Sequence, residues 1–355
     1  MTTDQTLKQQ GYRMPAEWER QQAIILCWPH NLGTWPFQLD RVEKTCVSLI
    51  LEIAESQEVW LTVNDDHELQ GVLDAIKGTR INRQNLKILK IPTHDIWVRD
   101  FGPIFVVRER LSTRERLITH WRFNGWGDKY EEEFLGDTHF PEVLAGAQRE
   151  KIRDLDFILE GGSIDVNGKG LLITSTNCLL NNNRNSQLTK HDIEKTLREN
   201  LGAEKIIWVD GEITGDDTDG HIDDAVRFVS EDKLVCISED NSQDTNYNAI
   251  KHLNEQLELI TDIEGRPLNL VRLPMPDPVY CSGKRLPASY ANFLITNDKV
   301  LVPNYRCKKD AVAIDIVQEL FKNRKVVGID CTDLVYGFGA IHCISQQVPA
   351  STTHS

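Results

Sequence analysis

The chain alternates short hydrophobic runs with longer stretches in which hydrophobic positions recur every three to four residues. The clearest case is the run VLVPN at 300–304, followed by helical spacing over 311–321 and a second run, KVVGID, at 325–330. Val- and Ile-rich runs favour strands, and the spacing of three to four favours an amphipathic helix. This order predicts a strand–helix–strand unit.

The same order recurs along the chain. Leading strands are predicted near residues 24, 104, 171, 234 and 300, and helices near 39–56, 189–200 and 248–259. Because the period is nearly constant and no Gly-, Pro- or Ser-rich linker divides the units, we expect an α/β fold of five blades, a pseudo-symmetric α/β propeller, in a single domain over 1–355. A generic alternation of strands and helices is the simpler alternative; a doubly wound sheet fits the period less well.

Composition and charge narrow the possible partners. The chain has 355 residues, 40% of them hydrophobic and 26% charged, which is typical of a globular protein with a substantial core. Its net charge of −14 disfavours nucleic acid and anionic membrane surfaces and suits a small cationic ligand. The hydrophobic runs are too short to span a bilayer and no leader pattern opens the sequence, so we expect a cytoplasmic location.

Eight cysteines, at 27, 46, 178, 236, 281, 307, 331 and 343, include no CxxC pair. Neither a zinc site nor a disulfide framework is indicated, and we expect reduced thiols. Cys343 differs because it follows GFGAIH at 337–342. Glycines let the backbone approach a ligand closely, and a cysteine is readily made nucleophilic near neutral pH. A buried structural thiol is the simpler alternative.

Two further loops carry candidate binding residues. In WVRDFGP at 97–103, the ring of Trp97 could pack on a planar cation while Asp100 accepts two parallel hydrogen bonds from it. A surface ion pair between Arg99 and Asp100 is the alternative. In LEGGS at 159–163, two glycines leave space beside Glu160, although a glycine hairpin turn explains the same residues.

The loop GDDTDGHIDD at 215–224 surrounds His221 with carboxylates, which should hold the imidazole ready to accept protons. An EF-hand is excluded, because its first and twelfth positions would be Gly215 and Val226. A transition-metal site using His221 and Asp223 stays open, but no second histidine cluster supports it. A solvated acidic loop is the simpler alternative.

Seven stretches together resemble the agmatine deiminase family of the guanidine-modifying superfamily. They are MPAEW at 14–18, WVRDFGP at 97–103, FNGW at 123–126, LEGGSIDVNGKG at 159–170, CLLNNNRN at 178–185, TDGHID at 218–223 and IHCISQQ at 341–347. The resemblance covers about residues 11–349. It implies a five-bladed α/β propeller that hydrolyses agmatine to N-carbamoylputrescine and ammonia, a step of putrescine biosynthesis, without metal or organic cofactor.

The resemblance also implies roles for individual residues. Cys343 matches the nucleophile and His221 the general acid and base. Asp100 and Asp223 match the carboxylates that hold the guanidinium, and Glu160 matches a carboxylate beside the histidine. The chain departs from the family pattern GGGNIHC, because Phe338 and Ala340 stand where glycine and asparagine are usual.

The substrate's far end offers a further criterion. Agmatine carries an ammonium there, which Asp217 or Asp219 could accept, and no arginine-rich segment indicates a site for the carboxylate of free arginine. Three hypotheses stay open: an agmatine deiminase, a deiminase of free or peptidyl arginine, and a non-catalytic protein that binds polyamines or guanidines. A homodimer is expected only because symmetric dimers are common.

Overall fold

The computed structural model describes residues 5–130, 134 and 136–352. Its strands are β1 Gln21–Cys27, β2 Glu58–Val63, β3 Leu86–Lys90, β4 Ile104–Arg110, β5 Thr113–Arg122, β6 Ile152–Ile158, β7 Ile164–Val166, β8 Leu171–Ser175, β9 Lys205–Val209, β10 Val226–Ser230, β11 Lys233–Ser238, β12 Asn269–Pro274, β13 Tyr280–Cys281, β14 Lys284–Arg285, β15 Leu294–Ile295, β16 Lys299–Asn304, β17 Lys325–Asp330 and β18 Ser345–Pro349. Its helices are α1 Leu39–Ala54, α2 Asp66–Ala75, α3 Val98–Phe101, α4 Gly125–Asp128, α5 Phe140–Gln148, α6 Thr176–Leu179, α7 Lys190–Leu201, α8 Tyr247–Leu257 and α9 Lys309–Leu320.

Within the described residues the strands form five sheets of shared topology and one short hairpin, β13–β14. The sheets are β18-β1-β2-β3, β4-β5-β6, β7-β8-β9, β10-β11-β12 and β15-β16-β17. In each, the first pair is antiparallel and the next pair is parallel. A parallel pair needs a crossover, and helices α1, α5, α7, α8 and α9 supply it. The predicted α/β fold is confirmed.

The sequence pattern placed most of these units correctly. The predicted strands at 300–304 and 325–330 are β16 and β17, and the helix predicted at 311–321 is α9. The leading strand predicted near 104 is wrong as a counterpart of the other four, because β4 is the antiparallel edge strand and the equivalent central strand is β5. The edge strands of the other sheets were missed; β7 and β15 have only three and two residues, too few to show a period.

Helix α1 shows why these segments become helices that pack on the sheets. Its buried positions Val42, Cys46, Leu49, Ile50 and Ile53 recur every three to four residues and form one apolar face. Burying each large aliphatic side chain contributes roughly 1.5–3 kcal/mol to the free energy of folding. None of the helices in the described ranges has the length and apolar character needed to cross a membrane.

The last strand joins the first unit. Strand β18 pairs antiparallel with β1, with Ile24 opposite Gln347. Cys343 lies two residues before β18, so this pairing carries the final motif of the sequence to the sheet that begins the chain.

Candidate active site

The predicted functional residues occupy one recurrent position in the fold. Asp100 lies just before β4, Glu160 before β7, Asp223 before β10 and Cys343 before β18, so each precedes the antiparallel edge strand of a different sheet. Short helical turns shape these approaches: α3 contains Asp100, and the 3₁₀ turn at Ile222–Asp224 contains Asp223. Equivalent loops of four similar units therefore bring residues that are distant in sequence to one place.

The loops that hold Asp100, Asp223 and Cys343 contribute to the wall of a cavity of about 550 Å³. Of the predicted residues, Trp97, Asp100, Asp217 and Cys343 line it. Its wall also includes the aromatic residues Trp126, Tyr130, Phe134, Tyr336 and Phe338. The cavity thus combines an aromatic wall with carboxylates and one thiol, which suits an extended cation with an apolar middle.

Asp100 is fixed from two sides. Its Oδ2 accepts a hydrogen bond from Nε1 of Trp126 at 2.9 Å, and its Oδ1 accepts one from the backbone N–H of Gly162 at 3.0 Å. The same Oδ1 lies 3.6 Å from Nδ1 of His221. Burial raises the pKa of Asp100 to about 6; His221 opposes the rise and Asp223 adds to it.

Arg99 is not the partner of Asp100, so the surface ion pair considered as an alternative is wrong. The guanidinium of Arg99 is buried and donates to the oxygen of His342 at 3.2 Å and to the side-chain oxygens of Gln346 and Gln347 at 2.8 and 2.7 Å. Arg99 therefore ties the segment around Cys343 to α3. Asp100 is left free to face the cavity.

His221 lies behind the cavity wall, fully buried. Burial alone would lower the pKa of His221, but Asp100, Cys178 and Glu160 outweigh it and raise that pKa well above 6.5. Nε2 of His221 has no hydrogen-bond partner among the described residues. A protonated imidazole with an unused ring nitrogen can give a proton to a leaving group.

Glu160 lies beside His221 and forms an ion pair with a buried arginine. Its Oε1 accepts a hydrogen bond from Nε of Arg184 at 2.7 Å, and neither side chain is exposed. This bond excludes the simple hairpin-turn interpretation of the 159–163 loop, because Glu160 is part of a buried charge network. Arg184 comes from the CLLNNNRN stretch, which explains why that stretch accompanies the other motifs.

Asp223 belongs to a second buried network. Nδ1 of His342 lies 2.6 Å from Asp223 Oδ2, and Nε2 of His342 lies 2.9 Å from an oxygen of Glu17. Glu17 is in turn paired with the buried guanidinium of Arg227. Although burial would raise the pKa of Asp223, the hydrogen bond and charge of His342 lower it. Asp223 is therefore held ionised.

The thiol of Cys343 is buried among acids. Burial raises its pKa well above the usual range, and Asp223, Asp224 and Asp100 raise it further. In the free protein this sulfur is protonated, and a nearby cation would favour the thiolate.

Two glycines allow these groups to approach one another. A Cβ added to Gly162 would lie 2.5 Å from Nδ1 of His221 and 2.8 Å from Oδ1 of Asp100. One added to Gly339 would lie 2.5 Å from Cζ3 of Trp97 and 3.0 Å from Cβ of Cys343. Both positions exclude any larger residue unless the site moves.

Comparison with known proteins identifies the family to which this chain belongs. The sequence profile of the Porphyromonas-type peptidyl-arginine deiminase family matches residues 13–349. The chain belongs to this family. It is 34% identical over 372 residues to the agmatine deiminase of Pseudomonas aeruginosa (strain LESB58), covering 97% of each chain. The predicted family and the prediction of an enzyme are confirmed.

Solved structures of agmatine deiminases have the same fold as this chain. The agmatine deiminase of Enterococcus faecalis superposes with a TM-score of 0.88 at 30% identity, with 98% of each chain covered. A substrate-bound cysteine-to-serine variant of the C. jejuni agmatine deiminase gives a TM-score of 0.85 at 31% identity, covering 96% of this chain and 97% of that one.

Within this deiminase, the two predicted ammonium ligands occupy different surroundings. Asp217 lines the cavity, accepts a hydrogen bond from the hydroxyl of Tyr130, and has a pKa raised to about 6, chiefly by burial. Asp219 does not line the cavity; its oxygens lie 2.6 Å from Nζ of Lys129 and 2.9 Å from Nη1 of Arg184. The geometry therefore favours Asp217 over Asp219.

Two groups in the site bring potential metal ligands within 4.8 Å of one another: Glu160, Cys178 and His221, and Asp223, Asp224 and Cys343. His221 and Asp223, the metal pair considered from the sequence, fall in different groups. Arg184 already forms an ion pair with Glu160, and Nδ1 of His342 lies 2.6 Å from Oδ2 of Asp223, so one carboxylate in each group already has a partner.

Sequence reasoning missed several members of this site. Trp126, in the FNGW stretch, was given no role, but it donates to Asp100. His342, Asp224 and Asn292 were not singled out, although all are buried and lie in the network around Cys343. The signal that could have revealed Asn292 is positional, since it precedes edge strand β15 as the other site residues precede theirs.

Proposed function

We propose that this enzyme hydrolyses agmatine to N-carbamoylputrescine and ammonia through a covalent intermediate on Cys343. The observation that carries the proposal is one cavity whose wall contains the thiol of Cys343 and the carboxylates of Asp100 and Asp217. The activity named for the P. aeruginosa and E. faecalis relatives supports it.

Asp100 and Asp223 would hold the guanidinium. A carboxylate accepts parallel N–H bonds from a guanidinium, and two of them fix its plane and orient its carbon toward the nucleophile. Trp97 lies in the same wall and offers an apolar face. Asp217 would accept the ammonium at the other end of the substrate.

In the first half-reaction, the cation lowers the pKa of Cys343, and water or a carboxylate of the cluster takes the thiol proton. The thiolate sulfur forms a bond to the guanidinium carbon. His221, protonated, gives its proton to one amino nitrogen, the C–N bond breaks, and ammonia leaves. A thiouronium on Cys343 remains.

In the second half-reaction, the neutral His221 accepts a proton from water while the water oxygen bonds to the thiouronium carbon. The C–S bond then breaks, its electron pair returns to sulfur, and the remaining hydroxyl proton passes to that sulfur or to water, which leaves a neutral ureido group. The ureido product leaves and His221 is protonated again. Glu160 and Asp100 support this cycle because they stabilise the imidazolium.

The choice of agmatine over arginine depends on charge at the far end of the cavity. Among residues 5–130, 134 and 136–352, Lys129 is the one lysine or arginine that lines it. Its Nζ lies 2.6 Å from Asp219 Oδ1 and donates to the backbone oxygen of Asp217 at 2.6 Å. An engaged lysine beside Asp217 favours an ammonium over a carboxylate.

The test measures ammonia and ureido product from purified protein with agmatine or arginine. Cys343→Ala and His221→Ala should each abolish turnover of agmatine, whereas Cys281→Ala and His252→Ala should not. EDTA should leave the rate unchanged. Turnover of arginine alone would overturn the substrate assignment; turnover retained in Cys343→Ala would overturn the covalent mechanism; tight binding without turnover would indicate a binding protein.

Four broader features are part of the same proposal. The five sheets would be blades of a pseudo-symmetric propeller, which the convergence of their equivalent loops on one cavity supports. Residues 1–355 would form a single catalytic domain, although both of these bounds lie outside the described residues. We expect the enzyme in the cytoplasm and as a homodimer; fractionation and light scattering would test these two expectations.

A further inference from the structure

One wall of the cavity joins the two ends of the proposed substrate. Trp126 donates from Nε1 to Asp100 at 2.9 Å, and the hydroxyl of Tyr130 donates to Asp217. The rings of Trp126 and Tyr130 are in edge contact, with their centroids 5.2 Å apart. An apolar chain with a guanidinium at Asp100 and an ammonium at Asp217 would therefore lie along these two rings.

A second part of the wall is the segment 337–339, all of whose residues line the cavity. Its two glycines lie against Trp97. A Cβ added to Gly337 would lie 2.8 Å from Cζ2 of that ring, and one added to Gly339 would lie 2.5 Å from Cζ3 and 3.0 Å from Cβ of Cys343. The residue between them, Phe338, is therefore anchored on Trp97 and close to the nucleophile.

Neither the backbone nor the hydrophobic core accounts for a phenylalanine at position 338. Its φ of +70° lies in the region that favours glycine, and the residue is 37% exposed although its side chain is large and apolar. Phe338 nevertheless lines the cavity. A disfavoured backbone conformation that presents an incompletely buried ring to a cavity points to a contact between that ring and a bound ligand.

The exposure of Phe338 also indicates where its ring lies. Cys343 is buried and Phe338 is partly exposed, so the ring stands between the nucleophile and the mouth of the cavity. Agmatine would end inside the cavity, at Asp217. Arginine within a peptide carries a carbonyl branch on the carbon that bears the ammonium in agmatine, and its main chain would have to pass the ring to reach solvent.

We propose that Phe338 is a specificity-determining residue, whose ring covers the methylene chain of a bound guanidinium–ammonium substrate and obstructs arginine that is part of a peptide. The proposal rests on the proposed function, in which agmatine binds between Asp100 and Asp217. It is tested by binding as well as by turnover. A failure of the proposed reaction is therefore distinguishable from a failure of this proposal.

The experiment measures Kd by calorimetry in the Cys343→Ala background, with agmatine and with N-acetylarginine amide as a mimic of peptide-linked arginine. Phe338→Ala removes the ring, and Phe338→Leu keeps apolar bulk. Phe338→Gly also relieves the disfavoured φ, so a loss of binding in that variant is not a consequence of unfolding. Phe37→Ala is the matched control, since Phe37 is 87% exposed and lies outside the lining of the cavity.

The burial of one methylene group changes affinity by about fourfold. The ring covers one side of the chain, so Kd for agmatine should rise about four- to tenfold in Phe338→Ala and Phe338→Gly, and by less than about threefold in Phe338→Leu. Kd for N-acetylarginine amide should fall by about threefold or more, so the preference for agmatine should fall by about tenfold or more. In the active enzyme, KM should follow Kd while kcat stays within about twofold, because the ring contacts the chain equally in the ground and transition states.

A preference unchanged in both Phe338→Ala and Phe338→Gly would overturn the proposal, as would an equal change in Phe37→Ala. A lower kcat with unchanged binding would also overturn it, because the ring would then act only through the position of Cys343. No binding of agmatine to any of these proteins would overturn it as well. Agmatine that is bound but not turned over by the active enzyme would overturn the proposed function and leave this proposal to be decided by the two Kd values.

Discussion

Gly162 is the position at which a single methyl group should disable the site without removing any functional group. A Cβ there would lie 2.5 Å from Nδ1 of His221, 2.8 Å from Oδ1 of Asp100 and 3.2 Å from Oδ2 of Asp223. Ordinary contact begins near 3.4 Å, so His221 would have to retreat by about 0.9 Å and Asp100 by about 0.6 Å. His221 has little room to do so, because it is already buried against Glu160 and Cys178.

The size of these displacements determines the expected loss of activity. Functional groups must be held within about 0.5 Å of productive geometry, and a misplacement near 1 Å costs on the order of 10²-fold in rate. We therefore expect Gly162→Ala to lower kcat/KM for agmatine about 100-fold, or ~2.7 kcal/mol of transition-state stabilisation. Overpacking of this kind also lowers the free energy of unfolding by about 1–3 kcal/mol.

Steady-state ammonia release and urea denaturation measure the two effects separately. Gly71→Ala is the control, since Gly71 lies in α2 and an added Cβ there meets no atom within 4 Å. The control should keep wild-type activity. A folded Gly162→Ala with kcat/KM within threefold of the wild type would refute the reasoning, because the site would then tolerate displacement of both His221 and Asp100.

Three other changes give independent tests. Phe338 has a φ of +70°, a left-handed conformation that costs a residue with a side chain roughly 1–2 kcal/mol. Phe338→Gly should therefore raise the free energy of unfolding by about 0.5–1 kcal/mol. Urea titrations measure this free energy, and a decrease would contradict the prediction. The pKa of Asp217 is about 6 and binding needs its charged form, so KM for agmatine should rise as pH falls from 7 to 5; the rise should be smaller in Asp217→Asn, where Asp100, whose pKa is also about 6, still titrates, and an equal rise would contradict this. Arg227→Met should leave buried carboxylates unpaired and destabilise the fold by about 3–5 kcal/mol in urea titrations, whereas Arg266→Met on the surface should cost about 1 kcal/mol or less; equal effects would refute the distinction.

The sequence was sufficient to predict those elements and site residues whose signal lies within a short stretch of the chain. Helix α9 and strands β16 and β17 follow from hydrophobic period alone, and Cys343, His221 and Asp100 stand in motifs that can be recognised without a structure. The period also indicated five units. It misjudged the second unit because β4 and β5 are consecutive strands joined by a tight turn, and either could lead a strand–helix–strand pattern.

What the sequence could not provide depends on contacts between distant segments. Asn292 and Cys343 are separated by 50 intervening positions, and His342 meets Glu17 across nearly the whole chain. The signal for Asn292 is its position before edge strand β15, and that two-residue strand was itself not predicted. Arg99 illustrates the opposite error: its adjacency to Asp100 suggested an ion pair, but the short helix α3 directs the two side chains to different partners.

The charges in the site explain how a buried cluster of acids can both persist and bind a cation. His342 holds the pKa of Asp223 below its usual range and Arg184 forms an ion pair with Glu160, whereas burial raises the pKa values of Asp100 and Cys343, which line the cavity. A guanidinium entering the cavity favours the ionised forms of Asp100 and Cys343, and the change of charge is greatest for the thiol, whose pKa burial raises well above its usual range. Reversing the order, with a permanent thiolate beside charged carboxylates, would cost several kcal/mol per uncompensated charge. The thiolate therefore forms only when the substrate supplies the compensating positive charge.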